Sequence, residues 1–171
     1  MNLKYCLYAI LLACSFFVQV GVAQVTSVRY QMRYNTTTCR YDCYLIIISG
    51  TATTAQQRAQ FNSQYSIVVP TGSSIAVAQN FMPLQNNQSY TGSTPLRWIL
   101  SSSVIAPTAA PQSDFHSITP TLSPAAFYNN LAAGDSIRLF SLSISPVTNC
   151  GSGIYIYRNG IDPGSSAPGM G

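Results

Sequence analysis

Residues 25–34, VTSVRYQMRY, alternate without a break: Val28, Tyr30, Met32 and Tyr34 on one side of an extended chain, Arg29, Gln31 and Arg33 on the other. A period of two held over this length marks a strand with one buried and one wet face.

Further strand-like segments follow. CYLIIIS (residues 43–49) is apolar on both faces, which suits a central strand. FNSQYSIVV (61–69) sets Phe61, Tyr65, Ile67 and Val69 on one side and stops at Pro70, which cannot donate to a ladder. SIAVAQNF (74–81), LRWILSSSVI (96–105), SIRLFSLSIS (136–145) and GIYIYRNG (153–160) complete the set. The stretch 106–124, rich in Pro and Ser, reads as a long surface loop. Ser123 then offers an N-cap and Pro124 a first helical position, so a short helix is expected within SPAAFYNNLAAGD (123–135). Strands punctuated by Pro and Gly at fairly even spacing predict an all-β antiparallel β-sandwich or jelly roll with one short helix.

The first 23 residues stand apart. Lys4, the apolar run CLYAILLACSFFVQV and the small residues GVA are the three parts of a secretory signal peptide. LLAC (Leu11–Cys14) competes as a lipoprotein signal, but SFFVQV after it stays apolar where such signals turn polar, so cleavage is expected after Ala23. No second apolar segment of spanning length follows, which predicts an exported chain with no membrane span in its mature part. The expected domain is 24–161, followed by DPGSSAPGMG (162–171) as a linker or tail.

Without Lys4, the mature chain has seven arginines, four aspartates, no lysine and no glutamate, a net charge of +3. These charges are spread along the sequence, so no clustered footprint for nucleic acid is visible. Three cysteines remain, Cys39, Cys43 and Cys150, an odd count for an oxidising compartment. With His116 they reach the number of ligands that zinc needs, but at no zinc-motif spacing.

Candidate chemistry is sparse. SDFHS holds Ser113, Asp114, His116 and Ser117 within five residues, whereas a catalytic triad is assembled from distant segments. The cluster reads as a polar loop with Asp114 in an Asx-turn. With no glutamate and scattered aspartates, a paired-carboxylate glycosidase has few candidates. Asn159 and Asp162 are too few for calcium, and RNG reads as a turn. No cofactor motif is present. NTT and NQS fit the N-glycosylation sequon.

Four stretches, VRYQMRY, FNSQYSIVVPTG, NNLAAGDSIRLFSLSIS and NCGSGIYIYRNGIDPGSSAPGMG, together resemble the N-terminal domain of large secreted Bacteroidota proteins. That domain looks like a cohesin or carbohydrate-binding-module sandwich. The resemblance implies that the Gly-rich end leads into further sequence, and that DSI (Asp135–Ile137) is similar to an O-glycosylation acceptor at Ser136. It also makes the first and last strands neighbours, so that Tyr155 and Tyr157 flank Arg29, Gln31 and Arg33 in one ligand-binding strip. In the same topology Cys39 and Cys43 sit at the tip of the first hairpin and Cys150 near the opposite end. A disulfide needs Cα atoms within about 7 Å, so Cys39–Cys43 is the expected bridge and Cys150 the leftover thiol. The expected function is a non-catalytic extracellular interaction module for surface adhesion or glycan binding. Its expected partner is an extracellular polysaccharide or a surface protein, with no nucleic acid and no cofactor. The rivals are a self-associating structural subunit and a secreted hydrolase.

Overall fold

A computed structural model describes residues 24–58, 63–81, 97–121, 128–146 and 153–170. The expected signal peptide, Cys150 and the NQS sequon lie outside these residues. Ten strands run in chain order: β1 (Ser27–Asn35), β2 (Arg40–Ser49), β3 (Thr51–Ala52), β4 (Tyr65–Pro70), β5 (Ser74–Asn80), β6 (Trp98–Val104), β7 (Ser113–Pro120), β8 (Leu131–Ala132), β9 (Ser136–Ser145) and β10 (Tyr155–Ile156). One helical turn, α1 (Ala55–Arg58), follows β3. The first sheet has the order β1-β2-β9-β5 and the second β10-β4-β7-β6, all pairs antiparallel; β3 and β8 form a small third pair. The protein is an antiparallel β-sandwich.

Alternation makes the core. In β1, Tyr30, Met32 and Tyr34 turn inward, opposite Leu45, Cys43 and Tyr41 of β2. Ile67 and Val69 from β4 and Leu142 and Ile144 from β9 fill the space between the sheets. Four rings interdigitate across it: Tyr30 lies 4.6 Å from Tyr65, Tyr65 lies 5.2 Å from Phe140, and Phe140 lies 5.1 Å from Trp98. Successive rings come from opposite sheets, which knits the layers together. At the end of β2 the chain passes so close to Gln24 that only a glycine fits: Gly50 has φ +90° and its added Cβ would strike the Gln24 carbonyl oxygen.

Four expectations change. First, the loop expected over 106–124 contains β7, a central strand of the second sheet. Its inward residues are Asp114, His116 and Ile118, and two polar groups in that face disguised the strand. Second, among the described residues helix is found at α1, and none in 128–135. Residues 122–127 are outside the described set, and Leu131–Ala132 pair with β3 as β8.

Third, β1 and β10 lie on the same side of the sandwich but as edge strands of opposite sheets; β1 pairs with β2 and β10 with β4. Fourth, Cys39 and Cys43 are free thiols. Cys39 is exposed in the β1–β2 turn at φ +53°, whereas Cys43 is fully buried in β2, facing the core. A residue in the turn and one locked into the ladder opposite Met32 do not present their sulfurs to each other.

Candidate functional site

The outward face of the first sheet carries the arginines. Arg29, Gln31, Arg33 and Asn35 of β1 alternate with its core residues, and the register sets Arg33 opposite Asp42 and Asn35 opposite Arg40. On β9, Arg138 is opposite Tyr44. Arg29, Arg33, Arg40 and Arg138 therefore share one face although they span more than a hundred positions of sequence. Asp42 is the carboxylate among them. It is buried, accepts from Arg138 Nη2 at 2.7 Å, and takes a second hydrogen bond from Asn35 Nδ2 at 3.1 Å. Its charge is thus spent inside the sheet, which leaves the face positive.

Two cation–π contacts seat guanidinium groups over rings. Arg33 lies 4.6 Å from the centre of the Tyr44 ring and donates to Gln31 Oε1 at 2.7 Å. Arg138 lies 3.7 Å from the centre of the Phe81 ring. Planar cations fixed on rings present forked donors to a ligand while losing little side-chain freedom on binding. Beside Arg138 the surface dips into a hollow of about 480 Å³ whose polar lining includes Asn129, Asn130, Ser136 and one carboxylate, Asp135, with Phe81 at its side. An aromatic ring, a guanidinium, two amides and a carboxylate at one mouth can hold a polar, hydroxyl-bearing ring. Ser136, the expected acceptor of a glycan, is exposed at the start of β9. Asn35, the sequon residue, is instead engaged: its Oδ1 accepts from the amides of Thr37 and Thr38.

Tyr155 and Tyr157 lie elsewhere. Tyr155 is in register with Val68, which places it on the outward face of the second sheet, the far side of the sandwich from Arg29 and Arg33. Both hydroxyls are used by the chain that follows: Tyr155 donates to Asp162 Oδ1 at 3.1 Å and Tyr157 to the Pro163 carbonyl at 3.3 Å. Arg158 stacks on Tyr155 and pairs with Asp162. The segment expected as a linker is folded against the body. Ala109 donates to the Pro168 carbonyl at 2.9 Å, and Gly169 packs on Pro107 and Thr108.

The SDFHS cluster is also rearranged. Asp114 is buried and accepts from the amides of Gly72 and Ala106, so it pins the turn before β5 and the loop after β6 rather than making an Asx-turn. His116 Nδ1 lies 2.7 Å from Ser103 Oγ, and its Nε2 is buried with no partner among the described residues. Burial holds this imidazole below its ordinary pKa, against the opposing pull of Asp114. A serine–histidine pair results, with both Asp114 oxygens committed to backbone amides instead of to the imidazole. Among the described residues no group of three or more His, Cys, Asp or Glu is placed to hold a metal, and no helix is long and apolar enough to cross a membrane.

Sequence reading found Arg29, Gln31 and Arg33 but not Arg40, Tyr44 and Arg138. A residue on a neighbouring strand enters the site through register alone, and register is not written locally. No family model, no curated protein and no solved structure matches this chain.

Proposed function

We propose that the protein is an exported, non-catalytic binding module that holds an extracellular polysaccharide on the outward face of its first sheet. One observation carries this reading: four of the seven arginines downstream of residue 23 lie on that face, where Asp42 is already neutralised by Arg138. The apolar leader supports export. The flat face and its ring-stacked guanidiniums support a polymer bearing carboxylate or sulfate groups, because such groups match the guanidinium fork and neutral chains do not. The hollow beside Arg138 supplies a place for one residue of the polymer to dip below the face.

The test compares immobilised alginate and pectate with dextran, using the protein from Gln24 onward. The acidic polymers bind and dextran does not. The double variant Arg29→Ala/Arg33→Ala weakens binding at least tenfold, while its melting temperature stays close to that of the parent because both side chains are exposed. Equal binding to all three polymers, or unchanged binding by the variant, removes the face from the function. Salt separates this mode from apolar adhesion, since interactions between exposed charges are screened beyond about 8 Å at physiological ionic strength.

A further inference from the structure

We infer that the C-terminal segment and the outward face of the second sheet enclose a second binding site, for an uncharged, hydroxyl-rich molecule of small-sugar size. The cavity measures about 430 Å³, within the range of roughly 300–1,000 Å³ typical of small-ligand pockets. Its floor is the sheet itself, where the outward positions of β4, β6 and β7 supply Ser66, Ser102 and Ser117. Its roof is the segment after β10, which contributes Asn159, Ser165 and Ser166. Phe115 and Tyr157, in edge-to-face contact at 6.4 Å, form one wall.

The lining chemistry selects the ligand. No arginine and no carboxylate lines the cavity, and His116, which does, is held toward its neutral form by burial, so an ionic group would find no full charge there to offset its desolvation. The side chains of Ser102, Ser117, Asn159 and Ser165 have no hydrogen-bond partner among the described residues. They leave donors and acceptors ready for hydroxyl groups. Phe115 and Tyr157 supply aromatic surface for the C–H groups of a pyranose, while a purely apolar ligand would strand the serines. The site lies on the opposite sheet from the arginine face and does not depend on it.

Met170 lines this cavity, whereas Met32 lies in the core. The experiment labels the methionine methyl groups of the protein with ¹³C and titrates glucose, xylose and N-acetylglucosamine at high salt. The expected result is a saturable shift of the Met170 methyl by at least one of the three, with Met32 unmoved. Ser102→Trp fills the cavity from an exposed edge strand and should weaken the response at least tenfold. Arg33→Ala should leave it unchanged, which separates this site from the arginine face. If Ser102→Trp lowers the melting temperature, Asn159→Leu removes an amide from the mouth without touching a strand and decides in its place. No shift at Met170 with any of the three sugars, or a shift that survives the substitution, overturns the proposal.

Discussion

Asp42 and Arg138, ninety-six residues apart in sequence, meet at 2.7 Å across β2 and β9, one buried and the other one-third exposed. The asymmetry of burial makes the two ends of the pair unequal. Arg138→Ala leaves a carboxylate inside the sheet with Asn35 as its remaining side-chain partner, and losing a partner to a buried polar group costs about 1–3 kcal/mol. Asp42→Ala leaves a guanidinium that can turn to water, so its cost is smaller. Urea denaturation of the two single variants should rank them in that order; equal losses would mean that Asp42 is hydrated in the native state.

His116 predicts a pH dependence of stability. Its folded-state pKa is held below the ordinary 6.5, chiefly by burial. The unfolded chain therefore takes up a proton near 6.5 while the folded chain takes one up only at lower pH. Between those values the unfolded state binds more protons, so stability rises with pH and is fully present above about 6.5. It declines as pH falls below that value and levels off beneath the folded pKa. Glutamine at this position keeps a neutral partner for Ser103, and His116→Gln should flatten the slope in this window. A slope that persists in the variant assigns it to other groups.

The two described thiols should differ sharply in reactivity. Burial pushes the Cys43 thiol up to about 12, with a hydrogen bond to Tyr65 working against it and the Asp42 charge adding to it. A thiol without thiolate or access is inert. Brief alkylation of the native protein with iodoacetamide, followed by peptide mapping, should modify Cys39 and spare Cys43 until denaturant is added. Modification of neither in denaturant without reductant would show that a bridge forms after all.

The folded-back C-terminal segment rests on two identifiable anchors. At Asp162, burial raises the pKa, but hydrogen bonds from the Arg158 side chain and backbone and from Tyr155 outweigh it and hold the carboxyl below its usual 3.8. The anchor is therefore complete above that value and is lost as pH falls through the depressed one. At Gly169, φ is +80°, and an added Cβ would come within 2.7 Å of the Thr108 nitrogen. Gly169→Ala should speed hydrogen exchange at the Ala109 amide, which bonds to Pro168, at least tenfold. The Ser113 amide, held by the Ala110 carbonyl within its own loop, should change little. Equal protection of Ala109 in parent and variant would mean that the segment is not held there.

Half of this architecture was legible in the sequence, and particular residues show why the rest was not. Arg29 to Tyr34 obey one simple rule, apolar in and polar out, and β1 was read from it nearly to the residue. In β7 that rule fails, because Asp114 and His116 point inward; Gly72 and Ala106 donate to Asp114, and Ser103 meets His116 Nδ1, all from other segments. A strand whose buried face is polar looks like a loop until the contacts of that face are known. Tyr155 and Tyr157 alternate as cleanly as Arg29 and Arg33, and that pattern marked a strand that holds at Tyr155 and Ile156 and ends before Tyr157. Which sheet each strand joins depends on long-range pairing, and that separated the expected strip into two opposite faces.

The two ends of the sandwich are fastened very unequally, and this sets how the fold responds to tension. β1 is zipped to β2 over nine register positions, whereas β10 is held to β4 over only two. When the domain is stretched between Ser27 and Ile156, load reaching β10 falls on that short seam and on the single further bond from the Tyr157 amide to the Ser66 carbonyl. The fold then yields from the β10 side at low force, while the longer pairings of β4 with β7 and of β2 with β9 stay closed. A chain strained this way gives slack before it loses its core, and the arginine face on the other sheet keeps its shape while it does so.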